Sequence, residues 1–517
     1  MKKIVTLFLS LSLAATLFAQ TAEDALNFTQ EYYEGTARSM AMGNAFTALG
    51  GDLGAIGINP ASSGVMRYSE ITFTPSLAST LHNTSYLGQS NTSRNTGFTV
   101  SNLGTVLSFD TGRYSGLLNY SFGLVYNKKN SFRSTMRANG STSNSSMLSS
   151  IAAGLEGINW QDIDLEQTSH PYTSSYASWP GILAWNTYVL APLSFLGGKY
   201  ADVEDSYMAS TENYNAATDE LQIGGLLNQR FNRKTRGSNE EFALNFGGNF
   251  SDFLYFGLNM GFHTISQTTE EYYEEVAANA LDFEDGFVSM DNSFWLRTVG
   301  SGVNFKFGVI VTPFAGLRLG ATVTTPTWYN LTDEWDYTMN TAFSNGNTYT
   351  EFSPTGTYSY KVTAPMRWSV GAAYTFLDRG LLSVDYESVN YANLRLAEQG
   401  GGAGAFSGEN NYIAQSFGNA HVLRVGAEIR ATDVISLRGG YQNYSAALKG
   451  EASRNAYSAG LGFRLSPTFS IDLAWSRLAT ATENFQLYDD YSSAVTVPVG
   501  TDQYSMNKFV CTLGIKF

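Results

Sequence analysis

The feature that most constrains this chain is a period-two alternation of apolar and polar residues, which begins at Tyr68 and recurs to the C-terminus. The alternation comes in segments of about ten residues separated by turn residues, a pattern typical of strands that cross a membrane as a barrel. At the C-terminus, Phe509, Leu513 and Phe517 share one face of a predicted strand. A soluble sandwich would show similar alternation, because an apolar face can meet a core as well as lipid.

The lengths of the connections favour the barrel. Short turns at 251–252, 432–433 and 466–467 alternate with long polar connections, of which the longest is predicted over 128–239. Outer-membrane barrels have this asymmetry because their short turns face the periplasm and their long loops face outside. The fourteen predicted strands are 68–77, 97–109, 115–127, 240–250, 253–266, 294–311, 315–327, 358–377, 380–396, 420–431, 434–446, 453–465, 468–480 and 504–517.

Two of these segments lose the alternation, one near Leu103 and one near Arg297. In the second, the sequence VGSG at 299–302 predicts a β-bulge that switches the facing of the strand. The predicted fold is all-β: a transmembrane antiparallel β-barrel of about fourteen strands over 68–517, with a small N-terminal hatch plugging the lumen.

The first nineteen residues are predicted to be a secretory signal peptide, with Lys2 and Lys3 before an apolar run and Ala19 at the cleavage point. A membrane anchor is the weaker interpretation, because the run is short and a polar segment follows it. The only cysteine, Cys511, cannot form an internal disulfide, so the exported chain needs another source of stability. No later run of eighteen apolar residues suggests a membrane helix, and a net charge of −14 argues against nucleic acid as a partner.

If the apolar faces meet lipid, the opposite faces line the lumen and carry charges of both signs. Such charges can form a structural network that docks something inside the barrel, or a selectivity surface for ions or sugars. The candidate lumen-lining residues are His263, Lys306, Arg318, Asp385, Glu387, Arg424, Glu428, Arg430, Arg438, Arg464 and Asp472.

Residues 20–67 precede the first strand and show no alternation, but they are rich in Gly and Ala. Small residues permit close backbone contact with a barrel wall, and Asn59 with Pro60 predicts the start of a short helix. A free periplasmic leader is the alternative, which would leave Met42 and Phe46 exposed to water.

Within this region, the stretch GTARSMAMGNAF at 35–46 and the NPA at 59–61 resemble the N-terminal hatch of the FadL/OMPP1/TodX family. These are outer-membrane transporters of long-chain fatty acids and other hydrophobic compounds. The sequence departs from the family pattern at Gly50-Gly51-Asp52, where an acidic pair is common, and at Ile58, where an aromatic residue is common. The residues that carry the resemblance are Gly35, Arg38, Ser39, Met42, Gly43, Phe46, Asn59, Pro60 and Ala61.

The resemblance implies a protein of the bacterial outer membrane that takes up hydrophobic small molecules passively. Outer loops would capture the ligand, a pocket between wall and hatch would receive it, and a hatch rearrangement would open an exit, which is sideways through the wall in known members. The implied partners are membrane lipid, the hydrophobic ligand and the assembly machinery that recognises a terminal aromatic such as Phe517.

Enzymatic chemistry has no positive signal in the sequence. The four histidines, His82, His170, His263 and His421, are scattered, and no metal or cofactor is predicted. Two other functions stay open: a receptor for haem or another bulky ligand, and an adhesion or structural barrel whose long loops bind surfaces.

Overall fold

The computed structural model describes residues 21–174, 177–376, 379–400, 404–492 and 495–517. The predicted signal peptide, 1–19, lies outside the described residues. Among the described residues no helix is long and apolar enough to cross a membrane.

Nineteen strands form one antiparallel sheet, which closes on itself where the first strand pairs with the last, from Glu70 with Lys516 to Ser85 with Thr501. Two small sheets, β5 with β6 and β7 with β8, lie outside it. The strands are β1 (Glu70–Tyr86), β2 (Gln89–Asp110), β3 (Leu117–Ser131), β4 (Ser134–Thr142), β5 (Leu190–Pro192), β6 (Tyr207–Ala209), β7 (Glu212–Asn215), β8 (Glu220–Ile223), β9 (Leu227–Phe250), β10 (Leu254–Ala277), β11 (Phe287–Phe314), β12 (Leu317–Thr324), β13 (Thr327–Phe343), β14 (Thr348–Phe352), β15 (Gly356–Ala364), β16 (Arg367–Phe376), β17 (Gly380–Asn390), β18 (Arg395–Glu398), β19 (Asn419–Arg430), β20 (Ile435–Tyr444), β21 (Arg454–Arg464), β22 (Phe469–Phe485) and β23 (Gly500–Lys516).

Helices are short and lie in the N-terminal region and the outer connections. The α-helices are α1 (Ala22–Thr29), α2 (Ala37–Ala41), α3 (Met147–Ala153), α4 (Pro171–Ser174), α5 (Trp179–Asn186) and α6 (Ser407–Ser416). The 3-10 helices are Gly54–Gly57, Pro60–Val65, Trp160–Asp162, Leu193–Leu196, Gly198–Tyr200, Ala280–Asp282 and Tyr391–Asn393.

Fourteen strands build the barrel wall, which confirms the number predicted from the alternation. Four of the fourteen are interrupted: β3 with β4, β12 with β13, β15 with β16, and β17 with β18 each make one wall strand. Two of these interruptions contain a proline. Pro326 lies between β12 and β13, and Pro365 lies between β15 and β16. Proline has no N–H to donate to the ladder, so the pairing stops and restarts around it.

The outer surface of the wall carries an apolar belt. Phe73, Leu244, Phe307, Leu461 and Phe509 are all exposed, while the residues next to them in sequence point inward. An exposed apolar surface of this size is unfavourable in water, and a closed barrel leaves no unpaired sheet edge for lipid to meet. The belt is therefore the surface that meets hydrocarbon.

The β-bulge predicted at 299–302 is wrong. Through this stretch β11 keeps a continuous register with β10, and its even-numbered residues face inward throughout. Gly300 and Gly302 therefore lie on the inward face, where side chains of the neighbouring strand β13, Leu331 and Tyr329, fill the space beside them.

The other irregular stretch, near Leu103, does contain a bulge. Thr74 of β1 pairs with Asn102, but Pro75 pairs with Val100, so Ser101 is the extra residue of β2. Pro75 cannot donate a hydrogen bond to the ladder, which accounts for the irregularity at this point.

The long loop predicted over 128–239 is shorter in the structure, because β4 and the first part of β9 extend the sheet into it. The described residues of the connection that remains, 143–174 and 177–226, form a compact unit over the outer mouth, here named the cap. Its buried core includes Leu148, Leu155 and Ile182, packed together with residues of the barrel wall such as Tyr273 and Met339. The cap therefore covers the outer mouth and is held there by packing against the barrel strands.

The wall is discontinuous between its second and third strands, a feature here named the wall break. β2 pairs with β3 only up to Asn102 opposite Asn127, and above this point no ladder joins β2 to β4 in the described part of the chain. Side chains cross instead: Asn95 Nδ2 donates to Thr135 Oγ1 at 3.0 Å, and Ser93 Oγ donates to the Thr135 carbonyl at 2.8 Å.

The facing of the strands can be tested at Leu461. Replacing Leu461 by Arg places a charge in the apolar belt, and we expect the free energy of unfolding to fall by about 2–4 kcal/mol. Leu461→Phe keeps the surface apolar and serves as the control, with a change below about 1 kcal/mol. Urea titration of the barrel folded in lipid vesicles measures both, and equal effects would show that Leu461 does not meet hydrocarbon.

Candidate functional site

Residues 21–67, here named the N-terminal segment, lie inside the barrel. The helix Pro60–Val65 contacts β3, β9, β10 and β11 on one side of the wall, and α2 contacts β20 to β23 on the other. Met42, Phe46 and Ile56, which a free leader would expose, are fully buried. The segment therefore spans the bore from wall to wall.

A set of inward-facing glycines lets the segment approach the wall at backbone distance. A methyl group added at any of them would lie between 2.0 and 2.3 Å from an atom of the segment. These residues, here named the glycine belt, are Gly257 beside Pro60, Gly308 beside Asn59, Gly320 beside Thr47, Gly426 beside Met42 and Gly440 beside Gly43. No other residue type fits these positions without displacing the segment.

The first part of the predicted hatch motif forms the turn of α2. Thr36 caps this helix by accepting a hydrogen bond from the Ser39 N–H at 3.2 Å, and Ser39 is fully buried beside Gly35. Gly43 follows with a φ of +60°, a conformation that glycine adopts without strain. The chain can thus reverse direction against the wall at Gly426 and Gly440.

Asn59, Pro60 and Ala61 form the second part of the motif. Asn59 Oδ1 accepts from the Ala61 N–H at 3.0 Å, and Pro60 occupies the first position of the helix, as predicted, although the helix is 3-10. Asn59 Nδ2 donates to the Thr47 carbonyl at 2.6 Å and to the Val309 carbonyl of the wall at 3.2 Å. One side chain therefore joins the helix start, an earlier turn of the segment and β11.

Near the periplasmic end, charged side chains tie the segment to the wall. Arg38 Nε lies 3.0 Å from Glu428 Oε2, and Arg438 Nε lies 2.6 Å from the same oxygen. Arg438 also pairs with Asp472, and the Arg38 guanidinium lies 5.4 Å from the centre of the Phe46 ring. Each charge in this row has an opposite charge beside it, which offsets the cost of removing it from water.

A second charged group lies higher in the bore, around Glu31. Lys129 Nζ is 3.0 Å from Glu31 and 3.3 Å from Glu241, and Arg367 pairs with Glu31 at 3.8 Å. Burial by itself raises the pKa of Glu31, but the cationic groups of Arg367 and Lys129 outweigh it and hold that pKa well below its ordinary value. Glu31 is therefore ionised at neutral pH.

Glu34 makes the third attachment. It pairs with Lys508 of β23 and accepts a hydrogen bond from Ser101 Oγ, the bulged residue of β2, at 2.7 Å. Although burial raises the pKa of Glu34, the ammonium groups of Lys508 and Lys128 hold it below the usual range. The carboxylate thus bridges two wall strands on either side of β1.

Most of the other lumen-lining candidates contact the segment or one another. Arg318 donates to the Leu49 carbonyl, Lys306 to the Gly57 carbonyl, and Asp385 accepts from the Thr47 N–H at 2.7 Å. His263 is buried, with Nε2 2.9 Å from Asn304 Nδ2.

Glu387 is shared by two arginines, with Arg424 at 2.9 Å and Arg367 as its second partner. Arg430 and Arg464 share the inward face of their strands and are exposed at the last residues of β19 and β21.

Sequence reasoning missed several of the residues that hold the segment, above all Glu31, Glu34, Lys129 and Lys508. Glu31 and Glu34 flank two tyrosines just before the motif, where no strand pattern exists to suggest a partner. Lys508 did have a usable signal, because it alternates with the outward Phe509 and must therefore face the lumen.

Above the segment is a chamber of about 610 Å³ that reaches from α1 to the region under the cap. Its charges are mostly paired, as Arg233 with Glu271, Arg454 with Glu483 and His82 with Asp502. The rest of the lining combines polar side chains, such as Asn27, Gln267 and Thr269, with an apolar and aromatic set. This set includes Tyr32, Phe132, Phe294, Leu296, Leu478 and Met506. Among the residues that the structure describes, no cluster of His, Cys, Asp or Glu is suited to hold a metal ion.

Comparisons with known proteins find relatives by structure alone. No protein-family model matches the chain, and no curated protein matches it in sequence. A FadL homologue from Pseudomonas aeruginosa is similar in structure with a TM-score of 0.55 and 12% identity, over 95% of this chain and 100% of that one. The toluene transporter TodX from Pseudomonas putida gives a TM-score of 0.51 and 14% identity, over 95% and 100% of the two chains.

The structure thus defines an antiparallel barrel of the outer-membrane type, with an apolar belt around it. More particularly, its fold is similar to those of the FadL homologue and TodX, which confirms at the level of the fold the resemblance seen in the sequence.

The glycine belt can be tested with adjacent residues of β20. A methyl group at Gly440 would lie 2.1 Å from the Gly43 nitrogen, whereas one at Gly439 would meet nothing within 4 Å. We expect Gly440→Ala to destabilise the packed segment by about 1–3 kcal/mol and to accelerate tryptic cleavage after Arg38. Gly439→Ala should leave the cleavage rate unchanged. Equal rates in the two variants would show that close contact at Gly440 does not hold the segment.

The Glu34 attachment can be tested by a double-mutant cycle. Glu34→Gln leaves the buried Lys508 ammonium without its carboxylate, so we expect the free energy of unfolding to fall by about 3–5 kcal/mol. Adding Lys508→Met should recover much of this loss, because no uncompensated charge then remains.

Glu23→Gln is the control for this cycle, since Glu23 is exposed on the same segment; its effect should stay within about 0.5 kcal/mol. Additive effects of Glu34→Gln and Lys508→Met would contradict a direct ion pair. Urea titration in lipid vesicles gives all four values.

Proposed function

We propose that this protein takes up hydrophobic small molecules passively across the outer membrane, and that the N-terminal segment is its hatch. One observation carries the proposal: the bore is closed by a charged, buried floor, while the wall directly above that floor is broken. A ligand that reaches the chamber therefore meets a polar barrier below and, at the side, a stretch of wall that side-chain hydrogen bonds hold together.

The floor is unsuitable for an apolar ligand. Passage through it would separate Glu31 from Lys129 and Glu34 from Lys508, and each separation leaves buried charges without partners. The segment as a whole is also held by backbone contact along the glycine belt. Passage straight down thus needs a rearrangement of the hatch.

The wall break supplies a route of lower cost. Phe132, Arg133 and Ser134 line the chamber and lie at the junction of β3 and β4, where the ladder to β2 has ended. Side-chain hydrogen bonds across the break can open without unzipping a backbone ladder. An apolar molecule leaving there enters hydrocarbon without crossing a polar bore.

The ligand class follows from the chamber and the fold. Part of the chamber lining is apolar or aromatic, including Phe132, Phe294 and Leu296, and this part offers contacts to hydrocarbon chains and aromatic rings, while polar side chains line the remainder. The likeness to a FadL homologue and to a toluene transporter supports the same class. We propose long-chain fatty acids and monoaromatic hydrocarbons as the two ligand types to compare.

A disulfide across the wall break tests the route. The variant carries Asn95→Cys and Thr135→Cys, and Cys511→Ala removes the native thiol. The disulfide replaces the hydrogen bond of 3.0 Å from Asn95 Nδ2 of β2 to Thr135 Oγ1 of β4. We expect the oxidised variant to lose most of its uptake of radiolabelled oleate or toluene, and the reduced variant to regain it. The control pair is Thr332→Cys with Ser359→Cys. The Oγ1 atom of Thr332 and the Oγ atom of Ser359 are 2.8 Å apart across the continuous ladder of β13 and β15.

Removal of residues 20–62 tests the hatch. If the segment is the hatch of a transporter, the variant becomes leaky to hydrophilic dyes that the parent excludes and loses controlled uptake, whereas an adhesion barrel would keep its binding to surfaces. Uptake that is selective for haem, with none for oleate or toluene, would overturn the proposed ligand class.

A further inference from the structure

A groove of about 880 Å³ lies on the outer surface of the barrel, on the extracellular side, and is here named the outer groove. It occupies the corner between the end of β2, which supplies Gln89 and Asn91, and the outward faces of β4 and β9. This corner exists because β2 leaves the wall at the break, so that β4 and β9 are exposed beside it.

The outer groove lies above the apolar belt. Along β9 the outward residues are first apolar, from Phe250 to Phe242, and then polar and cationic, with Arg236, Lys234 and Arg230. Eight residues separate Phe242 from Lys234, which places Lys234 roughly 20 Å farther out on a tilted strand. The groove is therefore beyond the hydrocarbon, at the height of an extended lipid headgroup.

Three cations share this outward face: Arg137 and Arg230 line the groove, and Lys234 lies next to it, two residues along β9 from the lining residue Asn232. Arg137 of β4 is opposite Asn232 of β9, and so lies diagonally between Arg230 and Lys234. Diagonal neighbours in an antiparallel pair are about 7–8 Å apart, and like charges side by side weaken a sheet. In a chain with a net charge of −14, such a cluster is a local exception.

Nearby carboxylates do not neutralise the whole cluster. Arg230 lies 3.4 Å from Glu274, and Glu270, which is opposite Lys234, is engaged by Arg236. Among the described residues no carboxylate lies within 4 Å of the Arg137 guanidinium or the Lys234 ammonium. An anion between these two groups would remove their repulsion, and a phosphate matches the donors of an arginine fork.

The remainder of the groove offers amide groups and an aromatic ring. The Asn91 Nδ2 and Asn232 Oδ1 atoms are buried at the groove without a hydrogen-bond partner, and Tyr272 lies opposite Asn232 on the neighbouring strand. Amides with free hydrogen-bonding capacity beside an aromatic ring suit a sugar, whose hydroxyls pair with amides and whose ring face packs on an aromatic side chain.

We propose that the outer groove binds the phosphorylated sugar headgroup of a glycolipid in the outer leaflet. Acyl chains lie against the apolar belt, a phosphate lies between Arg137 and Lys234, and the sugar contacts Asn91, Asn232 and Tyr272. This site is independent of the chamber and of the proposed transport function.

Binding in nanodiscs tests this site. The probes are a glycolipid whose extended oligosaccharide headgroup carries phosphate on its outer sugars and the enzymatically dephosphorylated form of the same lipid, and native mass spectrometry measures the bound fraction. We expect Arg137→Gln with Lys234→Gln to weaken binding of the phosphorylated lipid at least 10-fold. We also expect the parent protein to bind the dephosphorylated lipid as weakly as this variant binds the phosphorylated one.

Arg297→Gln is the matched control, because Arg297 is also an outward cation but is paired with Glu334 and lies outside the groove. The affinity of the Arg297→Gln variant for the phosphorylated lipid should stay within twofold of that of the parent protein. Heat-modifiable gel mobility confirms that each variant is folded. Unchanged binding in the double variant would overturn the proposal. So would displacement of the lipid by millimolar inorganic phosphate, which would identify a site for free anions.

Discussion

A charge buried inside a barrel must be neutralised inside the barrel, because neither lipid nor bulk water is there to solvate it. In this protein the N-terminal segment brings Glu31, Glu34 and Arg38 into the bore, and the wall presents Lys129, Lys508 and other charged partners at matching heights. Wall and segment each carry charges that would be costly without the other. The closed state of the bore is thus a consequence of charge pairing between two parts of one chain.

The same pairing connects the floor to the wall break. Glu34 accepts a hydrogen bond from Ser101, the bulged residue of β2, and the next residue, Asn102, is the last to pair with β3 before the strands separate. Lys128, one residue beyond the end of that ladder, donates to Thr99 across the gap. A movement of the segment at Glu34 would therefore act on the lower end of the break.

The barrel could be predicted from the sequence because its cause is local and repetitive. Each strand shows one face to lipid, so alternation persists in fourteen segments, and the wall strand count and the outer-membrane type of fold follow from it. The bulge at 299–302 was predicted wrongly because a glycine at 300 or 302 looks like a break in the pattern. Only the structure shows that Leu331 and Tyr329 of the next strand fill the space beside it.

The partners of the site could not be predicted in the same way. That Glu34 meets Lys508 depends on how a non-repetitive segment folds back across the bore, a contact between residues 474 positions apart. The cap could not be predicted from the sequence either, since the irregular sequence of 143–226 forms a buried core only by packing on wall residues such as Tyr273 and Met339. Hydrophobic periodicity carries no information on such long-range pairings.

The glycine belt has a consequence for exchanging parts between related proteins. Each glycine of the belt lies against an atom of the segment, so the inner surface of the wall fits one path of the segment backbone. A foreign plug with another path would collide where it meets side chains and leave voids where it faces bare glycine. The N-terminal segment and the barrel wall therefore have to be exchanged together in a working chimera.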